Sequence, residues 1–366
     1  MKQVSVGIIG CGGIAQAKHI PNLLKNDKAK IVALADNRGC DYIQQVQEQF
    51  GLQQAAAYQD YQALLQNPDV EVVHVCTPNE SHASITIEAL AAGKHVLCEK
   101  PMASTLEQAE QMVAAAQQSG KKLSICANNR FIPSMWYLQD VCRKGELGDI
   151  YFAKAHCVRR RGVPTWGQFL DVNSQGGGPV IDLGTHALDL ALWMMDNYKP
   201  RMVVGKTFDV IGKQGSPANP YGPWEPEEFT VEDSGFGMIV MQNGATIWLE
   251  ATWALNTRDE RPVSVTLCGS KAGADMTNGL IINTEEGGRL VDKNIVLNPN
   301  QIPFYQSKEV FGPELEIARW IDCILEDTQP VVLPQQMLVV AKIIDAIYLS
   351  NRTGKPVYFD EEGNAQ

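Results

Sequence analysis

Val4-Ser5-Val6-Gly7-Ile8-Ile9-Gly10-Cys11-Gly12-Gly13-Ile14-Ala15 is a short apolar run that turns through glycines into a helical pattern. A buried strand entering Gly10-x-Gly12-x-x-Ala15 is one way to hold a dinucleotide pyrophosphate. Gly10 permits the tight turn, Gly12 lets the backbone approach the phosphates, and Ala15 allows close helix packing. Gly13 and Ile14 open that helix, whose free amides and positive dipole end suit an anion. The motif gains weight from Asp36, an acid ending the next apolar strand about twenty residues on. A carboxylate there accepts from the ribose hydroxyls and repels a 2′-phosphate, which favours NAD. Arg38 could pair with that phosphate, so NADP stays open.

Working outward, the first third alternates strand and helix signals. Val4–Ile9, Ile31–Ala35, Val70–Cys76, Lys94–Cys98 and Lys122–Cys126 read as buried strands. Ile14–Lys25, Cys40–Phe50, Tyr61–Leu65, Ser81–Ala92 and Thr105–Ser119 read as the intervening helices, with Gly93 and Gly120 as stops. This order predicts an α/β fold with a doubly wound parallel sheet. Beyond residue 128 the grammar changes. A helix over Pro133–Arg143 precedes longer alternating strands at Ile150–Val158, Arg201–Val210, Thr230–Met241 and Thr246–Leu255, the last two joined by Gln242-Asn243-Gly244. These predict an α+β domain with an open, mostly antiparallel sheet. Gly215–Asp233, with its prolines and acids, reads as a surface loop. Leu333–Asn351 is helical again. The expected domains are 1–128, 129–332 and a C-terminal segment 333–366.

Composition narrows the function classes. The 366 residues carry a formal charge of −11, which argues against a nucleic-acid partner. Arg159-Arg160-Arg161 is too short a basic run to reverse that; it is either a solvated strand end or part of a substrate loop. The odd number of cysteines, nine, without Cys-x-x-Cys spacing, suggests reduced thiols and no metal site. No stretch is apolar enough for a membrane helix. With the first strand starting at Val4, no leader is expected, and the chain reads as cytoplasmic.

Two further segments bear on chemistry. Thr77-Pro78-Asn79 and Glu99-Lys100-Pro101 each follow an apolar strand, at the sheet edge where such folds bind ligands. Asn79 is either a ribose contact or a turn residue, Ser81 is expected to cap the next helix, and His82 to support the loop. A cis Lys100–Pro101 bond would turn Lys100 toward the cleft. Gly176-Gly177-Gly178 then leads into a helix carrying Asp182 and His186. Four residues apart, they lie about 40° apart on one face. A carboxylate there can orient an imidazole for proton transfer.

In this order and spacing, Gly10-x-Gly12-x-x-Ala15, Thr77-Pro78-x-x-x-His82, Glu99-Lys100-Pro101 and Asp182-x-x-x-His186 resemble the Gfo/Idh/MocA oxidoreductases over essentially the full chain. The resemblance implies a Rossmann domain, an α/β domain whose open sheet mediates a homodimer or homotetramer, and a C-terminal helix returning to the first domain. It also implies that Lys100, Asp182 and His186 form the catalytic group. The expected cofactor set is Gly10, Gly12, Gly13, Ile14, Asp36, Arg38, Thr77, Pro78, Asn79, His82, Glu99 and Lys100. Arg130, Arg159, Arg161, Trp166 and Phe169 are expected pocket residues, with Trp166 either stacked on a sugar or buried in the core. The expected reaction is reversible oxidation of a sugar, cyclitol or polyol secondary alcohol. Redox-neutral, NAD-dependent glycoside cleavage and a non-catalytic NAD(P)-binding sensor are the alternatives.

Overall fold

The computed structural model describes residues 3–297 and 312–366. It divides into two units, Met1–Phe131 with Val310–Leu338, and Ile132–Glu309 with Val339–Gln366.

The first unit contains six parallel strands in the order β3-β2-β1-β4-β5-β6. They are β1 (Val4–Ile9), β2 (Ala29–Ala35), β3 (Ala56–Tyr58), β4 (Val72–Val75), β5 (His95–Cys98) and β6 (Leu123–Ile125). Its helices are α1 (Ile20–Leu24), α2 (Cys40–Phe50), α3 (Tyr61–Leu65), α4 (Asn79–Ala91) and α5 (Leu106–Ser119). The glycine turn runs first into a π-helical turn, Ala15–His19, which α1 continues. Strand order reverses between β1 and β4, the switch point where open α/β sheets bind ligands. The doubly wound expectation holds; β3, three residues long, is an addition to it.

The second unit holds a nine-stranded sheet ordered β14-β13-β12-β11-β7-β10-β9-β8-β15. It comprises β7 (Ile150–Val158), β8 (Pro200–Phe208), β9 (Ser234–Met241), β10 (Thr246–Thr252), β11 (Arg261–Gly269), β12 (Gly273–Asp275), β13 (Leu280–Glu286), β14 (Arg289–Ile295) and β15 (Val357–Tyr358). Only the β7–β10 pairing is parallel among those described. Its helices are α6 (Pro133–Arg143), α7 (Val172–Gln175), α8 (Pro179–Asp182) and α9 (Gly184–Met195). The mixed, mostly antiparallel sheet is as expected.

The unit division departs from the sequence expectation. Helix α10 (Pro313–Leu325), unassigned in the sequence reading, groups with the first unit. Its Ile317, Trp320 and Ile321 join Val4, Ile20 and Ile31 in one core cluster. Helix α11 (Pro334–Thr353) groups with the first unit only through Leu338. From Val339 the chain belongs to the second. There Ile347 seats against Gly205 and Gly237, where an added Cβ would lie 2.6 and 2.9 Å from it. β15 then pairs with β8. The segment 215–233 is also not a plain surface loop. Trp224, Phe229 and Val231 are buried with Trp253 in one core cluster.

Candidate functional site

The glycine turn lies at the β1/β4 edge of the first unit. Gly10 has φ +87°, and a Cβ there would meet the Cys76 carbonyl at 2.8 Å, so glycine is required twice over. A Cβ on Gly13 would meet nothing within 4 Å, and one on Gly12 only the tip of Arg38 at 3.6 Å. The turn is thus closed toward the protein and open outward, as a pyrophosphate cradle requires. The Asp36 carboxylate accepts from the Cys11 amide at 2.8 Å and takes the Arg38 fork at 2.8 and 2.7 Å. Burial works against its charge, but the Arg38 and backbone bonds outweigh burial and hold its pKa below the usual range. The Arg38 guanidinium also lies 3.6 Å from the Tyr42 ring centroid.

The Thr77 and Pro101 loops are tied by one side chain. His82 is buried, with Nδ1 at 2.8 Å from the Pro101 carbonyl and Nε2 at 2.9 Å from that of Thr77. Ser81 does not cap α4; its hydroxyl lies 2.8 Å from both Thr77 Oγ1 and the Pro78 carbonyl, donating to the carbonyl while sharing a hydrogen bond with the Thr77 hydroxyl. Lys100–Pro101 is cis. Glu99 Oε2 accepts the Lys100 amide at 3.1 Å, while Oε1 takes Lys18 Nζ and faces His19 Nε2, each at 2.9 Å.

That carboxylate heads a buried polar cluster which sequence reading missed. Lys18 bridges Glu99 to Glu316 of α10, both at 2.9 Å, and Glu316 accepts the Ala127 amide. His19 Nδ1 stands 2.9 Å from His74 Nδ1. Burial disfavours the Glu99 charge, yet Lys18 and His19 hold its pKa well below the carboxylate range. Burial pushes Glu316 up despite Lys18. Donor atoms of His19, Glu99 and Cys126 lie within 4.8 Å of one another, near enough for a metal ion, but the Lys18 ammonium already supplies a cation there.

A separate constellation is built on α8 and α9 of the second unit. From Gly177 to Met194 every residue is buried except Asp182 and His186, so these two are the partly accessible residues of an otherwise buried run. They do not share one uninterrupted helix, since Leu183 separates α8 from α9. Asp182 Oδ2 accepts from Trp253 Nε1 at 3.0 Å. The glycine loop before α8 is clamped by Glu232, whose carboxylate takes the Gly178 amide at 2.9 Å, the Val180 amide at 3.0 Å and the Tyr348 hydroxyl at 2.8 Å. A side chain at Gly178 would overlap the Glu232 carbonyl, and one at Gly177 the Tyr348 hydroxyl. Burial pushes the Glu232 pKa up, against the pull of these bonds.

The expected pocket residues separate. Arg130 is wholly buried in the first unit, where its Nη1 donates to the Val331 carbonyl and the Gln336 side chain. Arg159 donates to the Gly162 carbonyl. Arg161 braces Ser216, Asn256 and the Arg160 carbonyl. Trp166 is exposed rather than core, and Phe169 is half-buried beside it.

A family model described as "Oxidoreductase family, NAD-binding Rossmann fold" matches residues 4–126, and the "GFO/IDH/MocA C-terminal domain" matches residues 135–275. A D-glucoside 3-dehydrogenase of Escherichia coli is 35% identical over 356 residues, 96% of each chain. The crystal structure of an oxidoreductase domain protein from Kribbella flavida superposes with a TM-score of 0.85 at 24% identity, covering 97% of this chain and 99% of that one. A levoglucosan dehydrogenase in complex with NADH and levoglucosan gives a TM-score of 0.81 at 22% identity, covering 98% and 99%. These likenesses establish the shared fold.

Proposed function

Because the chain belongs to the Gfo/Idh/MocA family of NAD-binding oxidoreductases, we propose that it oxidises a secondary alcohol of a pyranose sugar or glycoside, reversibly. The relative that is a D-glucoside 3-dehydrogenase supports a glucoside as the substrate class. The observation that carries the reading is the accessible Asp182–His186 line within a buried run.

The residues at the β1/β4 edge fit NAD: an outward-open glycine turn, and a carboxylate at the end of β2 held ionised by Arg38. When bound, the nicotinamide supplies the hydride acceptor. His186 takes the hydroxyl proton as the alcohol is oxidised. Asp182, held by Trp253, orients the sugar or the imidazole. Lys100 donates a hydrogen bond to the reacting oxygen, and Glu99 fixes the Lys100 backbone from below. Self-association through the open face of the nine-stranded sheet and a cytoplasmic setting, where nine free thiols persist, complete the proposal.

The test is a glycoside and polyol screen with NAD and NADP, followed by absorbance and by product analysis. Accumulating NADH with an oxidised sugar supports the reading; glycoside cleavage without lasting NADH replaces it with redox-neutral chemistry. His186→Ala is expected to lower kcat at least about a hundredfold, while NAD binding by titration stays within about twofold. Equal loss of both would overturn the assignment.

A further inference from the structure

Two aromatic rings stand exposed in the second unit without belonging to its core. Trp166 is 53% and Tyr221 48% accessible. They meet edge to face, with centroids 4.9 Å apart and planes at 84°. They come from different loops, and those loops are stitched rigidly. The buried Asn219 side chain accepts the Val163 amide at 3.0 Å and donates to the Val163 and Gly222 carbonyls at 2.9 and 2.8 Å. The Thr165 hydroxyl donates to the Tyr221 carbonyl. Leu170 is pinned in turn by the Thr230 amide and hydroxyl. An apolar pair left in water yet held in fixed geometry is preorganised for a flat apolar ligand face.

The rings also lead somewhere. Trp166 contacts Phe169 at 5.7 Å, Phe169 contacts Trp253 at 6.2 Å, and Trp253 donates to Asp182 at 3.0 Å. This run of contacts links Trp166 to Asp182 through two intervening rings. Gly167 and Gly222 flank the pair at φ +62° and +94° and add no side chain of their own beside the rings. The patch is far smaller than the roughly 1,000 Å² a stable protein interface buries, so a small ligand suits it better than a partner protein. A pyranose or aryl ring presents a C–H or π face that packs on aromatic rings.

Building on the sugar-oxidation reading, we propose that Trp166 and Tyr221 form a second subsite. It binds the uncharged ring attached through the glycosidic oxygen, either an aryl aglycone or a neighbouring sugar. The enzyme would then select glycosides over free sugars by aglycone stacking, while Asp182 and His186 engage the ring being oxidised.

The experiment compares KM and kcat for methyl glucoside, phenyl glucoside and cellobiose with saturating NAD. It uses the wild type, Trp166→Ala, Trp166→Phe and Tyr221→Ala. Trp166→Ala is expected to raise KM for phenyl glucoside and cellobiose about tenfold and leave kcat and the methyl glucoside KM within about twofold. Trp166→Phe should retain most of the discrimination, and Tyr221→Ala should reproduce the loss from the other loop. An equal rise for methyl and phenyl glucoside, or no rise for either, overturns the subsite while leaving the sugar reading intact. Failure of the wild type to oxidise any of the three overturns the sugar reading and the subsite with it. A change of elution volume in Trp166→Ala would assign the rings to contact between copies and overturn the subsite.

Discussion

At the residue scale, buried charge management distinguishes this chain from its motifs. Lys18, His19, His74, Glu99 and Glu316 were not legible as a cluster, because they come from the first helix, two strand regions and a helix some two hundred residues later. Only folding makes them neighbours. The histidines nearby give a pH dependence of definite sign. Burial lowers the pKa of His19, His74 and His82 below 6.5, and burial with Lys121 and Lys122 lowers that of His95 to about 4. Each folded pKa is below its unfolded value, so the unfolded chain binds more protons as the pH falls. The contribution is present above pH 6.5 and is lost as pH falls from there through the folded value, about 4 for His95. Urea midpoints should therefore decline over that window. His95→Gln, whose side chain can still accept the Lys122 amide, should flatten the slope there by up to about one proton. An unchanged slope would show that His95 does not titrate as its surroundings dictate.

At the element scale, most of the fold was readable and the exceptions have physical reasons. The parallel strands announced themselves by continuous apolar runs, and the cofactor turn by glycines that the geometry proves necessary at Gly10. Helix α10 could have been found from Pro313 at its start, Glu314 and Glu316 in its first turn and the apolar spacing of Ile317, Trp320 and Ile321. Strand β3 is too short for any periodicity to speak. The 215–233 segment misled because proline content signals a loop but says nothing about whether aromatic residues between the prolines are buried. Asp182 and His186 were singled out by their spacing, whereas the contacts that Trp253, Glu232 and Tyr348 make with the α8 region were not legible, since each reaches it from a distant strand edge or helix. The Glu232 clamp makes a prediction for that element. Glu232→Ala leaves two buried amides without an acceptor and should cost about 3 kcal/mol, read from urea midpoints. It should also lower kcat with little change in NAD affinity. An unaltered stability would mean that water replaces the carboxylate without loss.

At the scale of the whole molecule, the nine-stranded sheet has two unlike faces. Gly205, Gly235 and Gly237 admit Ile347 and Val180 on one side. The alternate residues turn Val204, Phe208, Phe236, Met238 and Trp248 outward, with Trp248 39% and Phe208 41% accessible. A surface of this kind suits a second copy of the chain. Trp248→Glu should shift the assembly toward monomer by sedimentation, with the fold retained by circular dichroism; an unshifted species would place the contact elsewhere. The sulfur atoms offer an independent ruler for that question. Of the nine free thiols only Cys40, at the start of α2, is openly accessible, while Cys142 on α6 and Cys268 are half-covered, Cys268 on the same outward face as Trp248. Alkylation under native conditions would thus proceed as one fast event at Cys40. Slower events would follow at Cys142 and Cys268; if copies pair through this face, only the Cys268 rate should rise on dilution, which makes that rate a gauge of assembly.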